Sequence, residues 1–180
     1  MIRDGVYLFD SAVLIYFLFI NSFYALLLVI SFLEIYRRYA EVKTENFEHV
    51  LKSESVPGIT IIAPAYNESA NIQESILSIL KLSYPKLDLI IVNDGSIDNT
   101  LAVLQESFQL KSIPPAFPSH IKTEKIRGVY RSKRYRNLIV IDKNNGGKAD
   151  SLNAAINACS TPYFMAIDAD TIIEKDALQR

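Results

Sequence analysis

The chain has 180 residues, 49% of them hydrophobic, and 19 basic side chains against 20 acidic ones leave a net charge of −1. Near-neutrality lacks the electrostatic footprint of a nucleic-acid binder. A single cysteine, Cys159, excludes a disulfide framework and fits a reducing compartment. Neither His49 nor His120 sits in a motif that would pair with Cys159, so it reads as core filler rather than nucleophile.

Ala12 to Leu33 runs for 22 residues without a formal charge. As a helix rising ~1.5 Å per residue it extends roughly 33 Å, enough to cross the hydrocarbon of a bilayer. A secretory signal would have a shorter apolar run and a small-residue cleavage site. Arg37, Arg38 and Lys43 follow the span, whereas Arg3 before it is offset by Asp4 and Asp10. The positive-inside rule then puts the N-terminus outside and everything after Leu33 in the cytoplasm, at a plasma or inner membrane. Residues 34–51 stay helix-compatible, so residues 1–51 form a membrane anchor with a juxtamembrane helix. Residues 52–58 have linker composition and mark the domain boundary.

From residue 59 onward, strand and helix patterns alternate. Gly58–Ala63 is β-branched and apolar, a covered central strand that Pro64 ends. A helix capped by Ser69 or Asn67 then turns Ile72, Ile76, Ile79 and Leu80 to one side. A second strand, Leu87–Val92, leads to Asn93-Asp94-Gly95-Ser96, and Asp98 or Ser96 caps a helix carrying Leu101, Leu104 and Phe108. Residues 111–136 break the rhythm with Pro114, Pro115 and Pro118. They are strongly basic, reading as a solvated loop or a surface for anionic lipid. Strand Leu138–Ile141, helix Lys148–Ala158 and a buried strand from Tyr163 restore the pattern. The order predicts an α/β fold with a mainly parallel sheet and right-handed crossovers.

Every loop that follows a parallel strand carries groups suited to a nucleotide. Asn67 and Glu68 follow the first, Asp94-Gly95-Ser96 the second, Gly146-Gly147-Lys148 the third and Asp168-Ala169-Asp170 the fourth. Glycines admit close backbone approach, and Lys148 at a helix start offers a point charge beside N–H groups. Asp168 and Asp170, one residue apart, leave their strand with one orientation and suit a shared hard cation. There is no Gly-x-Gly-x-x-Gly after the first strand and no Gly-x-x-x-x-Gly-Lys-Ser/Thr, which argues against dehydrogenase and P-loop folds.

Pro64-Ala65-Tyr66-Asn67-Glu68, Val92 to Thr100, Asn145 to Asn153 and Asp168-Ala169-Asp170 resemble, in order and spacing, the inverting family 2 glycosyltransferases. The resemblance is nearest to the membrane-bound, often processive branch that makes poly-N-acetylglucosamine, hyaluronan, chitin and cellulose. It implies a GT-A fold over residues 59–180, a nucleotide-sugar donor (usually a UDP-sugar), Mg²⁺ or Mn²⁺ as cofactor, and a saccharide or lipid-linked acceptor. It further implies that Ala65, Tyr66, Glu68 and Asp94 hold base and ribose, with Pro64, Asn67, Gly95, Ser96, Gly147 and Ala169 also among the nucleotide-sugar-binding residues. By the same resemblance Lys148 lies at the base or diphosphate, Asp168 at the ribose or diphosphate, and Asp170, with Asp168, on the metal.

Inversion needs a general base for the acceptor hydroxyl. The family supplies it from a Thr/Ser-Glu-Asp-like motif, with Gln-x-x-Arg-Trp in processive members. Neither occurs here, and the sequence has no Trp. The expectation is a donor-binding half, truncated before the acceptor half and inactive alone. The alternative is a non-catalytic, membrane-tethered nucleotide-binding module. A haloacid-dehalogenase-like phosphatase fits poorly, because Thr171 follows Asp170 directly instead of standing two positions later.

Overall fold

The computed structural model describes residues 2–44 and 56–178, which divide into two compact units, Met1–Phe47 and Glu48–Arg180. The expected linker falls mostly outside the described residues; only Val56, Pro57 and Gly58 of it are seen, as coil entering the first strand.

The first unit is one helix, α1, Ile2–Thr44. The uncharged run at 12–33 predicts its middle, and helix continues beyond that run at both ends. Leu8, Phe9, Leu18, Phe23, Tyr24 and Phe32 are exposed around its whole circumference, with no apolar stripe turned to a core. The segment Arg3–Tyr39 is long and apolar enough to cross a membrane: its most apolar 18-residue stretch has mean hydropathy 2.5, none of that stretch buried. A helix apolar all round needs a covering medium.

The second unit is a sheet with helices on both faces. Its elements are β1 (Ile59–Ala65), α2 (Ile72–Leu80), β2 (Leu87–Asp94), α3 (Thr100–Ser107), β3 (Leu110–Ile113), β4 (Ile126–Ser132), β5 (Leu138–Lys143), α4 (Lys148–Ala158) and β6 (Tyr163–Ala166). The strand order is β3-β4-β5-β2-β1-β6. β5, β2, β1 and β6 are parallel, and β4 pairs antiparallel with both β3 and β5. Alternation along the strands divides the core. Ile61, Ala63, Leu89, Ile91, Leu138 and Val140 pack with α2 and α3 through Ile72, Ile76, Ile79, Leu104 and Phe108. On the opposite face Ile62, Ile90, Val92 and Ile141 meet Ala155 of α4. The chain steps from β1 to β2 with a helix on one face and returns from β5 to β6 with a helix on the other. Opposite steps on opposite faces keep one crossover hand.

Five local expectations need correcting. Pro64 lies inside β1 instead of ending it, paired with Val92. The Ile62 carbonyl accepts from the Ile167 N–H, so Pro64, two residues on, also points toward β6; that strand's pairing ends at Ala166, and Pro64 forfeits no ladder bond. Residues 111–136 are not wholly irregular: β3 and β4 extend the sheet, needing apolar side chains on one face only. β6 is an edge strand, not a buried one, with Tyr163 and Phe164 exposed. Asp168 and Asp170 stand in a turn closed by Thr171 N–H on the Asp168 carbonyl, not in strand alternation. Finally, the N-caps are Asn71 for α2 and Asn99 for α3, and neither makes a capping side-chain bond.

Candidate functional site

Ligands of open α/β sheets bind outside the carboxyl ends of the strands, where the strand order reverses. Here that point is β1: the chain leaves it for β2 on one side and later returns to β6 on its other side. A cavity of about 280 Å³ opens there, lined by Pro64, Ala65, Tyr66, Glu68, Asp94, Lys148, Asp168, Ala169 and Asp170. All four motif loops reach it. Asn67, Gly95, Ser96 and Gly147, also candidates from sequence, do not line it.

Those four residues instead hold the loops together. Asn67, at φ 58°, accepts the Ile97 N–H on Oδ1 at 2.9 Å, and its own N–H donates to Ser96 Oγ at 3.0 Å. The Glu68 N–H donates to Thr100 Oγ1 and the Ser69 N–H to Asp98 Oδ2. Asp98 also accepts from the Thr100 N–H and hydroxyl. Desolvation works against ionisation of Asp98, but the bonds from Thr100 and Ser69 outweigh it and hold its carboxyl at about 2. The β1–α2 and β2–α3 loops are thereby stapled into one wall.

The other wall grows from sheet register. Parallel pairing sets Asp94 beside Lys143 and Asn93 beside Asp142. The second pair meets on the α3 side of the sheet, where Asn93 Nδ2 and Arg127 Nη2 both donate to Asp142 Oδ1, at 2.7 and 2.5 Å. The first pair meets on the α4 side. Lys143 Nζ lies 2.5 Å from Asp94 Oδ1 and 2.6 Å from Asp150, with no exposed side-chain surface of its own. The N–H groups of Gly146 and Gly147 donate to the two Asp94 oxygens at 3.0 and 2.8 Å. Burial pushes the Asp94 carboxyl up, yet Lys143 and the two amides more than reverse this and hold it below the ordinary carboxylate value. Oδ1 thus takes Lys143 and Gly146, Oδ2 takes Gly147, and the buried Ser151 hydroxyl beside them also lowers the carboxyl.

Sequence reasoning missed Lys143. Its signal was there: Lys143 continues the Ile139–Ile141 side of β5, a covered face on which a cation needs partners.

Across the cavity Lys148 pairs with Asp168, both more than half exposed. Asp170 is exposed and makes no hydrogen bond or ion pair among the described residues. Ala169 between them is buried and fixes the turn. Two carboxylates facing one cavity, one of them free, fit a hard divalent cation that draws its other ligands from phosphate and water. A lysine at the start of α4 beside the Gly147 backbone fits an anionic diphosphate.

This sheet order, with the cavity at the β1 crossover, defines a GT-A-like α/β domain. Residues 60–180 match the family model described as Glycosyl transferase family 2, and the chain belongs to that family. It is 34% identical over 146 residues to poly-β-1,6-N-acetyl-D-glucosamine synthase of Staphylococcus epidermidis, covering 79% of this chain and 29% of that protein. The synthase of the same name from Staphylococcus aureus strain COL is 34% identical over 125 residues, 69% of this chain and 24% of that one. The chain thus spans less than a third of the curated relatives it matches. A mannosyltransferase from Pyrobaculum calidifontis, solved with GDP-Man and Mn²⁺, shares the fold, with a TM-score of 0.51 at 22% identity over 82% of this chain and 37% of that one.

Proposed function

We propose that the cavity at the β1 crossover holds the nucleotide part of a sugar donor, a UDP-sugar, for transfer to a growing polysaccharide or lipid-linked acceptor. One observation carries this reading: residues from four separate loops, each of a type that binds base, ribose, phosphate or cation, line one cavity. Tyr66, Glu68 and Asp94 face base and ribose, and Lys148 meets the diphosphate. Asp168 and Asp170 hold Mg²⁺ or Mn²⁺. A bound divalent ion supplies Lewis-acid stabilisation of the charge left on the departing diphosphate. Lys148 adds a positive charge at the same place, and Asp168, paired to it, keeps its ammonium aimed into the cavity. The synthases that this chain resembles favour an N-acetylglucosamine polymer as product.

In this reading α1 anchors the protein in a membrane, N-terminus outside, and the transferase unit lies in the cytoplasm. The 180 residues alone bind donor without transferring sugar, because the site that presents the acceptor hydroxyl and the base that deprotonates it belong to the part of such synthases this chain does not span. A positioned base is typically worth 10²–10⁴-fold. Photolabelling with an azido-UDP tests the placement of the nucleotide. Label protectable by UDP is expected on peptides carrying residues 64–68, 94 or 148. Protectable label confined to other peptides would contradict the reading.

A further inference from the structure

The Lys143 ammonium is spent inside the protein: it donates to Asp94 Oδ1 at 2.5 Å and to the Asn144 carbonyl at 2.7 Å, and it forms an ion pair with Asp150 Oδ1 at 2.6 Å. Lys143 is fully buried and does not line the cavity, so its charge serves these internal partners and not a ligand.

Its partners are what the site needs in place. Asp94 receives the N–H groups of Gly146 and Gly147, and Asn145 Nδ2 donates to the Asp94 carbonyl. Asp150, in the first turn of α4, accepts the Glu124 N–H and so ties in the segment before β4. We infer that Lys143 is a positioning residue: its buried ammonium clamps Asp94 to Asp150 and thereby holds the Gly146-Gly147-Lys148 loop in the geometry that receives the nucleotide diphosphate. This rests on the reading of the cavity as a nucleotide site.

The alternative, a lysine that only fills the core, fails on chemistry. A buried cation between two carboxylates is held by charge, and removing it leaves Asp94 buried with no counter-ion. The charged groups facing Asp94 are Lys143 on β5, Asp150 and Lys148 on α4, and Glu68, Asp168 and Asp170 around the cavity. Most are acidic, so loss of Lys143 raises the Asp94 carboxyl. With Lys143 in place, Asp94 stays ionised through the neutral range.

The test uses the full chain in detergent, wild type and Lys143→Met, with amide hydrogen exchange at Gly146 and Gly147 and calorimetric titration with UDP between about pH 5 and pH 8. In Lys143→Met the two amides lose protection and UDP binds about tenfold or more weakly. The ratio of variant to wild-type affinity falls further as pH is lowered, which lost packing would not cause. Unchanged protection in Lys143→Met overturns the clamp whatever UDP does. UDP bound equally by both proteins at every pH overturns the positioning role. Lost protection in the variant together with no UDP binding by the wild type upholds the clamp and removes the nucleotide reading. Should Lys143→Met fail to fold, Lys143→Met/Asp94→Asn decides. That pair leaves no uncompensated buried Asp94 carboxylate and must regain a cooperative thermal unfolding transition; failure of the pair to fold as well overturns the inference.

Discussion

Gly95 stands at φ +68°, and a Cβ there would come within 2.6 Å of the Asn145 backbone nitrogen. Its glycine character serves the meeting of the β2–α3 and β5–α4 loops, not the approach of a ligand, as its place in Asp94-Gly95-Ser96 suggests. Gly95→Ala therefore meets both a strained backbone and a clash, and is expected to lower stability by roughly 1–3 kcal/mol in thermal or denaturant unfolding. Asp98 gives a pH test at the same scale. Its carboxyl is held at about 2 in the folded protein against 3.8 ordinarily. A depressed folded value means its contribution is present above the ordinary value and is lost as pH falls from about 4 toward 2. Wild type should lose stability over that window, and Asp98→Asn should lose less over the same interval. Parallel pH curves for the two proteins would remove Asp98 as the staple between the loops.

At the scale of elements, the sequence resolves α4 to its residue bounds, because Gly146-Gly147 before it and Ser160-Thr161-Pro162 after it leave no other helix register. β1, β2 and β5 are legible as apolar runs because both faces of a central parallel strand are covered. β3 and β4 are not, since an edge antiparallel pair buries few side chains, Val129 and Ser132 among them, and its Lys111 and Arg131 look like loop charge. The site shows the same division. Residue types that line the cavity stand out by chemistry, whereas the roles of Asn67 and Ser96 as loop staples depend on contacts between chain segments some 30 residues apart. Exposure of Tyr163 and Phe164 on β6 yields an expectation of its own. An apolar edge strand templates association, so Phe164→Lys should reduce concentration-dependent self-association of the detergent-solubilised chain in light scattering. Unaltered association would show that β6 is not the adhesive edge.

For the whole molecule, two units with different surroundings share one chain: a helix exposed and apolar all round, and a sheet whose ligand-type loops converge on one edge. If α1 crosses the membrane as proposed, a cysteine placed at Asp4 is labelled by an impermeant reagent on intact cells, and one placed at Ser55 only after lysis. The reverse pattern would invert the topology. The central claim, that the β1 crossover cavity takes a nucleotide with a divalent ion, is tested most directly by calorimetry of UDP with and without Mn²⁺ on wild type and Asp170→Ala. The account predicts that Mn²⁺ strengthens UDP binding to the wild type and leaves weak, Mn²⁺-independent binding to Asp170→Ala. Equal affinity in all four titrations would contradict it.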